Sequence, residues 1–201
     1  MVSDGVSRLR AEIGASGFAC MPDALDATRF GALQAEASVR RQEALRACGD
    51  GDVRYRSRVA PLGDVARAFL AGSELASALE SVFDDAYAYE EEASCYTYYE
   101  SGDFLGVHRD RPDECEITVI VYLHAQGRGA DAPDTGLRLD IYSGGDTDER
   151  RLVHFIPTRT GGMVLGRGAA VWHARPPLLQ DESVIALTAC FRARTRPSDG
   201  T

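Results

Sequence analysis

Between residues 86 and 193 the chain breaks into seven short apolar runs separated by Gly, Asp and Pro, and this rhythm limits the possible folds more than any other feature. The clearest run, residues 116–124, reads Glu-Ile-Thr-Val-Ile-Val-Tyr-Leu-His. Its β-branched side chains fit a pleated, buried strand better than a helix. Residues 95–99, 137–142, 151–156, 163–165, 170–173 and 184–191 repeat the pattern at strand length. Strands this short, joined by turn residues, predict an antiparallel sandwich or barrel.

The N-terminal third follows a different period. Residues 6–13 have helical spacing, and residues 17–21 read as a short strand. Asp26 is placed to cap a longer helix through Phe30, Leu33, Ala37 and Leu45, which a loop at residues 49–52 would end. Residues 64–70 and 73–82 predict two further helices. The fold class is therefore mainly β with N-terminal helices, a helical part over about 1–84 and a β-core over about 85–193, in one domain spanning 1–201. Residues 125–135 form a candidate active-site lid, and residues 194–201 a frayed tail.

Composition excludes several functions. All 22 basic residues are Arg, so no Schiff-base or general-base lysine exists. A net charge of −9 disfavours a nucleic-acid partner. No apolar run reaches the roughly 18 residues of a membrane helix, and the N-terminus lacks signal-peptide character. The five cysteines are odd in number and scattered, without a C-x-x-C pair. They are expected to be reduced, mostly buried thiols in a cytoplasmic protein. Nothing in the pattern sets an oligomeric state.

The chemistry concentrates at Tyr99-x-x-Gly102-x5-His108-x-Asp110 and at His173. A His and a carboxylate two residues apart can face one metal ion, and a second His from a distant strand completes a three-ligand face. Two His and one carboxylate with the opposite face open suit a non-haem Fe(II) oxygenase. The pair lies between strand patterns, where a rigid scaffold can aim ligands. His173 ends an apolar strand entered through Gly161-Gly162, and residues 184–191 return as a last strand.

With these features the chain resembles the Fe(II)- and 2-oxoglutarate-dependent dioxygenase superfamily over roughly residues 15–193. Besides the motif, the matching residues are the strand Ile117 to Leu123 and Gly162-x-Val164-Leu165 leading to His173. The resemblance implies a double-stranded β-helix (jelly-roll, cupin-like) with helices on one side. It implies His108, Asp110 and His173 as iron ligands, with 2-oxoglutarate and O₂ as co-substrates. Tyr99 matches an aromatic that often touches the co-substrate, whereas Tyr96 and Tyr98 are expected to be packing residues or pocket walls. Most members carry an Arg or Lys about ten residues after the distal His to grip 2-oxoglutarate; here that residue is Ser183. Arg192 is then the favoured cation, followed by Arg175, with Arg167 and Arg138 as further candidates. Asp110 stands where halogenating members have Gly or Ala, so the resemblance implies hydroxylation or a related oxidation rather than halogenation. A small molecule, such as an amino acid or biosynthetic intermediate, is the expected substrate. A peptidyl hydroxylase and a non-catalytic cupin-like binder are the alternatives. His124 and His154 are assigned no role.

Overall fold

The structure is a computed structural model that describes residues 2–127, 134–145 and 149–194. Most of the expected lid and nearly all of the expected tail lie outside these residues. Helix α1 (Val2–Ser16) leads into strand β1 (Phe18–Met21) and helix α2 (Ala27–Arg40), followed by a 3-10 turn at Arg41–Glu43. A hairpin of β2 (Leu45–Asp50) and β3 (Arg54–Ala60) precedes α3 (Asp64–Leu70) and α4 (Ser73–Phe83). Then come β4 (Tyr87–Tyr99), β5 (Phe104–His108), β6 (Ile117–Gln126), β7 (Arg138–Ser143), β8 (Arg151–Pro157), β9 (Met163–Gly166), β10 (Trp172–Arg175) and β11 (Ser183–Ala193). Among the described residues, no helix is long and apolar enough to cross a membrane.

Local chemistry sets the helix ends. The Asp26 carboxylate accepts the Arg29 N–H at 2.9 Å, which caps α2 as expected. Helix α1 stops at Gly17, whose φ of +82° disfavours a side chain; a Cβ there would also lie 2.2 Å from Val171. The expected run of α2 to Leu45 fails. Helix geometry ends at Arg40, and Leu45 is 74% exposed at the start of the β2–β3 hairpin. The spacing reflected burial at Leu33 and Ala37 but not at Leu45. Three strands, β1, β2 and β3, therefore lie within the mainly helical N-terminal part.

The strands run in the order β1-β9-β6-β11-β4-β3-β5-β10-β7-β8, with every pairing antiparallel and β2 added beside β3. Strand β3 turns the corner: Arg58–Ala60 pair with β4, while Tyr55 and Arg56 pair with β5. One half of the sheet thus holds β1, β9, β6, β11 and β4, and the other holds β5, β10, β7 and β8. Ile120, Tyr122, Val164 and Ala186 from the first half join Leu139, Ile141 and Ile156 from the second in one core. The opposite face of the first half packs Val119, Val121, Leu165 and Leu187 against Leu9, Leu33 and Leu79 of the helices. Strand β6 is covered on both faces, which explains a nearly unbroken apolar run rather than an alternating one. This is a jelly-roll core with helices packed on one side.

One cysteine expectation is corrected. Cys115 and Cys190 form a disulfide, while Cys20, Cys48 and Cys95 are free, with Cys48 exposed. Separation along the chain hid the pair: Cys115 precedes β6 by two residues, and Cys190 lies opposite Thr118 of that strand.

Leu187 is fully buried between β4 and β6. Leu187→Ala should cost about 2–5 kcal/mol, read as a lower urea midpoint at constant m-value. Leu45→Ala, at the exposed hairpin position, should stay within about 0.5 kcal/mol of wild type in the same titration.

Candidate metal centre and its cavity

Antiparallel pairing builds the centre. Strands β5 and β10 place His173 directly opposite His108, with ring centroids 4.3 Å apart. Asp110 follows two residues after His108 and is anchored by its backbone N–H, which donates to the Gly168 carbonyl at 3.0 Å. The ligand atoms of His108, Asp110 and His173 all lie within 4.8 Å of one another. The three sequence-predicted ligands therefore converge.

Their orientation is set from behind. His108 Nδ1 lies 3.0 Å from the Gly106 carbonyl, and His173 Nδ1 lies 2.9 Å from the Val171 carbonyl. A carbonyl can only accept, so each Nδ1–H donates and each ring turns its Nε2 toward the other two groups. Those Nε2 atoms lie 3.1 and 3.7 Å from Asp110 Oδ1. The other carboxylate oxygen, Oδ2, accepts the Thr118 hydroxyl. Burial, reinforced by His108, pushes His173 down to about 4. Burial pushes Asp110 upward, but the histidines and the Thr118 hydroxyl outweigh it and hold the carboxyl below its usual range. The site thus sets a carboxylate against two imidazole Nε2 atoms, a ligand set that a divalent cation can take up. Its composition fits Fe(II).

The three ligands line an interior cavity of about 180 Å³ together with Tyr55, Thr97, Tyr99, Leu139 and Arg175. Arg175 is 4% exposed and lies two residues beyond His173, so both project from one face of β10. Its guanidinium donates to Thr158 Oγ1 at 3.1 Å and to the Tyr122 hydroxyl at 3.0 Å. It also lies 5.1 Å from the Tyr99 ring centre and 5.3 Å from that of Tyr122. No carboxylate pairs with it among the described residues. Burial raises the Tyr99 phenol to about 12, so it stays protonated at neutral pH.

The other arginines lie elsewhere. Arg192 is on the surface, 3.6 Å from Glu90. Arg138 pairs with Asp140 at 2.8 Å, and Arg167 lies 5.3 Å from the Phe83 ring centre. Tyr96 and Tyr98 face the helices, donating to Glu36 and to the Ala37 carbonyl, each at 2.7 Å. Thr118, Gly168, Thr158 and Tyr122 were not anticipated. A short hydroxyl side chain within the β-branched run 117–121 was the available sign of Thr118. Gly168, Thr158 and Tyr122 gain meaning only from strands distant in sequence.

No protein-family model matches the sequence, and no curated protein is significantly similar to it. Solved structures share its fold at low identity. A prolyl-4-hydroxylase from Pseudomonas putida superposes with a TM-score of 0.66 at 18% identity, covering 94% of this chain and 99% of that one. The non-heme alpha ketoglutarate dependent epimerase SnoN from nogalamycin biosynthesis gives 0.76 at 16%, covering 99% and 88%. HygX from Streptomyces hygroscopicus, solved with nickel, 2-oxoglutarate and hygromycin B, gives 0.67 at 12%, covering 94% and 87%. The chain has the fold of the 2-oxoglutarate and Fe(II) oxygenases.

A Cβ on Gly168 would lie 2.0 Å from both Asp110 Oδ2 and Thr118 Oγ1. Gly168→Ala should therefore weaken metal binding by roughly 10–100-fold in a chelator competition. The His173 shift predicts a second effect. Between its ordinary value of 6.5 and about 4, the unfolded chain binds a proton that the fold excludes. The metal-free protein should lose stability as pH falls through that interval. Urea midpoints across it should decline, and His173→Gln should shallow the slope; equal slopes would refute the assignment.

Proposed function

We propose that this chain is a non-haem Fe(II)- and 2-oxoglutarate-dependent oxygenase that hydroxylates a C–H bond of a small molecule. The observation that carries the reading is one cavity holding both the His108–Asp110–His173 triad and the buried Arg175 cation, which meets no carboxylate among the described residues. Leaving a charge buried without a counter-ion is costly, and a dicarboxylate entering the cavity supplies one.

Each residue then has a task. His108, Asp110 and His173 hold the metal. Arg175, steadied by Thr158 and Tyr122, grips the far carboxylate of 2-oxoglutarate through its planar fork. Tyr99 stays protonated and can donate to the same carboxylate. Leu139, Ile120 and Ala186 supply apolar wall and exclude water. Bound Fe(II) supplies the O₂ activation that couples decarboxylation of 2-oxoglutarate to C–H oxidation.

A volume of about 180 Å³ suits a small co-substrate; drug-sized ligands occupy roughly 300–1,000 Å³. The substrate therefore approaches from outside this chamber. SnoN, solved with Fe3+, alpha ketoglutarate and nogalamycin RO, and HygX support a small-molecule substrate by analogy of fold. A peptide substrate is the second reading. It draws on the likeness to prolyl hydroxylases and on a groove of about 600 Å³ between β1 and β8, walled by Phe18, whose ring lies 5.0 Å from His173.

Anaerobic addition of Fe(II) and 2-oxoglutarate should produce a visible metal-to-ligand charge-transfer band, and air should then release succinate. Absence of both would sink the proposal. Arg175→Gln should raise half-saturating 2-oxoglutarate about a hundredfold, equivalent to about 3 kcal/mol from a lost charge-assisted contact. Arg192→Ala should leave that value unchanged. The reverse result would return the co-substrate role to Arg192.

A further inference from the structure

The Cys115–Cys190 disulfide lies against the metal centre. Cys190 lines the metal cavity. Cys115 is 2% exposed, and its sulfur lies 3.6 Å from Thr118 Oγ1, the hydroxyl that donates to Asp110 Oδ2. Only four residues separate Asp110 from Cys115, in a turn closed by the Cys115 N–H donating to the Arg111 carbonyl at 2.7 Å. The disulfide ties the end of this turn to β11, beside a backbone bond of 2.9 Å from the Glu116 N–H to the Phe191 carbonyl. One metal ligand is thus held along a path of sulfur, hydroxyl and carboxylate. The three free cysteines have no such place: Cys48 is exposed on the hairpin, and neither Cys20 nor Cys95 is among the cavity-lining residues.

We propose that the Cys115–Cys190 pair, acting through Thr118 and the turn after Asp110, is a redox-sensitive positioning element for the metal centre, so that the oxidised protein holds its divalent metal more tightly than the reduced one. The inference rests on reading the triad as a metal site. Reduction by a dithiol proceeds by exchange. An external thiolate attacks one sulfur, the Cys115–Cys190 bond breaks, and the second external thiol resolves the mixed disulfide. The dithiol leaves as a cyclic disulfide, and its two electrons and two protons remain on Cys115 and Cys190. The turn after Asp110 then keeps its backbone bond to β11 but loses the covalent one, and more of the ordering of the carboxylate falls to metal binding. Partners behind a metal ligand typically contribute 10–100-fold in affinity. Linkage adds a reciprocal consequence: the metal must favour the disulfide by the factor through which the disulfide favours the metal.

The test measures Mn(II) affinity anaerobically by competition with a fluorescent chelator. The samples are oxidised protein and protein reduced with dithiol that has been removed by gel filtration. About tenfold weaker binding is expected on reduction and in the Cys115→Ser/Cys190→Ser variant. Thr118→Val should weaken binding comparably, Thr118→Ser should restore it, and Cys48→Ser should change nothing. Mn(II) should also shift the dithiol concentration that half-reduces the bond by the same factor, which a merely stabilising cross-link would not show. If the double variant does not fold, reduced wild type and Thr118→Val still decide. Equal Mn(II) affinity in both redox states overturns the proposal while leaving the metal site standing. Failure of the oxidised protein to bind Mn(II) overturns the metal-site reading, and this inference with it.

Discussion

The pairing of β5 with β10 sets His173 across from His108, and the interior is organised around that contact. Two imidazoles 4.3 Å apart, one tied through Nδ1 to the Gly106 carbonyl on β5 and the other to the Val171 carbonyl just before β10, aim their Nε2 atoms into one small space. Asp110 brings a carboxylate to the same point. Burial and His108 both disfavour a charged His173, while the neighbouring histidines and Thr118 hold the Asp110 carboxyl below its usual range. The scaffold must keep the three groups at that spacing. It does so with the ladder bonds of two strands, the Asp110–Gly168 backbone bond and the Thr118 hydroxyl.

The ladder faces a first half of the sheet that is packed on both faces. Helices α1, α2, α3 and α4 cover one face, and the second half of the sheet covers the other across the core. Strand alternation sorts neighbouring residues between these environments. On β4, Tyr96 and Tyr98 point to the helix layer and hydrogen-bond there, while Thr97 and Tyr99 line the cavity. On β6, Val119 and Val121 support the helices, while Thr118 and Ile120 face the cavity. A one-residue slip in either strand would exchange the packing set for the site set.

The buried guanidinium gives the cavity its polarity. In a chain of net charge −9, Arg175 is enclosed beside the candidate metal ligands with two hydroxyls and two aromatic rings as company, but no carboxylate among the described residues. Neutral acceptors and ring faces hold such a cation without neutralising it. The charge therefore stays available to an anion.

Much of this was legible in residue order. The β-branched run 116–124 and its companions predicted a mostly antiparallel core, Asp26 marked a helix start, and His108, Asp110 and His173 could be named as ligands. These signals are local: a period of two, a side chain that caps its own helix, a pair spaced to face one ion. Leu45 misled because helical spacing can occur where nothing buries it. The hairpin β2–β3 went unseen because Arg at alternate positions masks a strand whose other face lines a cavity. The Cys115–Cys190 disulfide, the support of Thr118 behind Asp110 and the placement of Arg175 rather than Arg192 in the chamber were decided by strand register. Sequence alone determined which chemistry the chain carries, because residue type and short spacing are properties of neighbours along the chain. Only the tertiary structure decided which cation, hydroxyl and thiol meet that chemistry, because antiparallel pairing joins residues whose separation along the chain bears no relation to their distance in space.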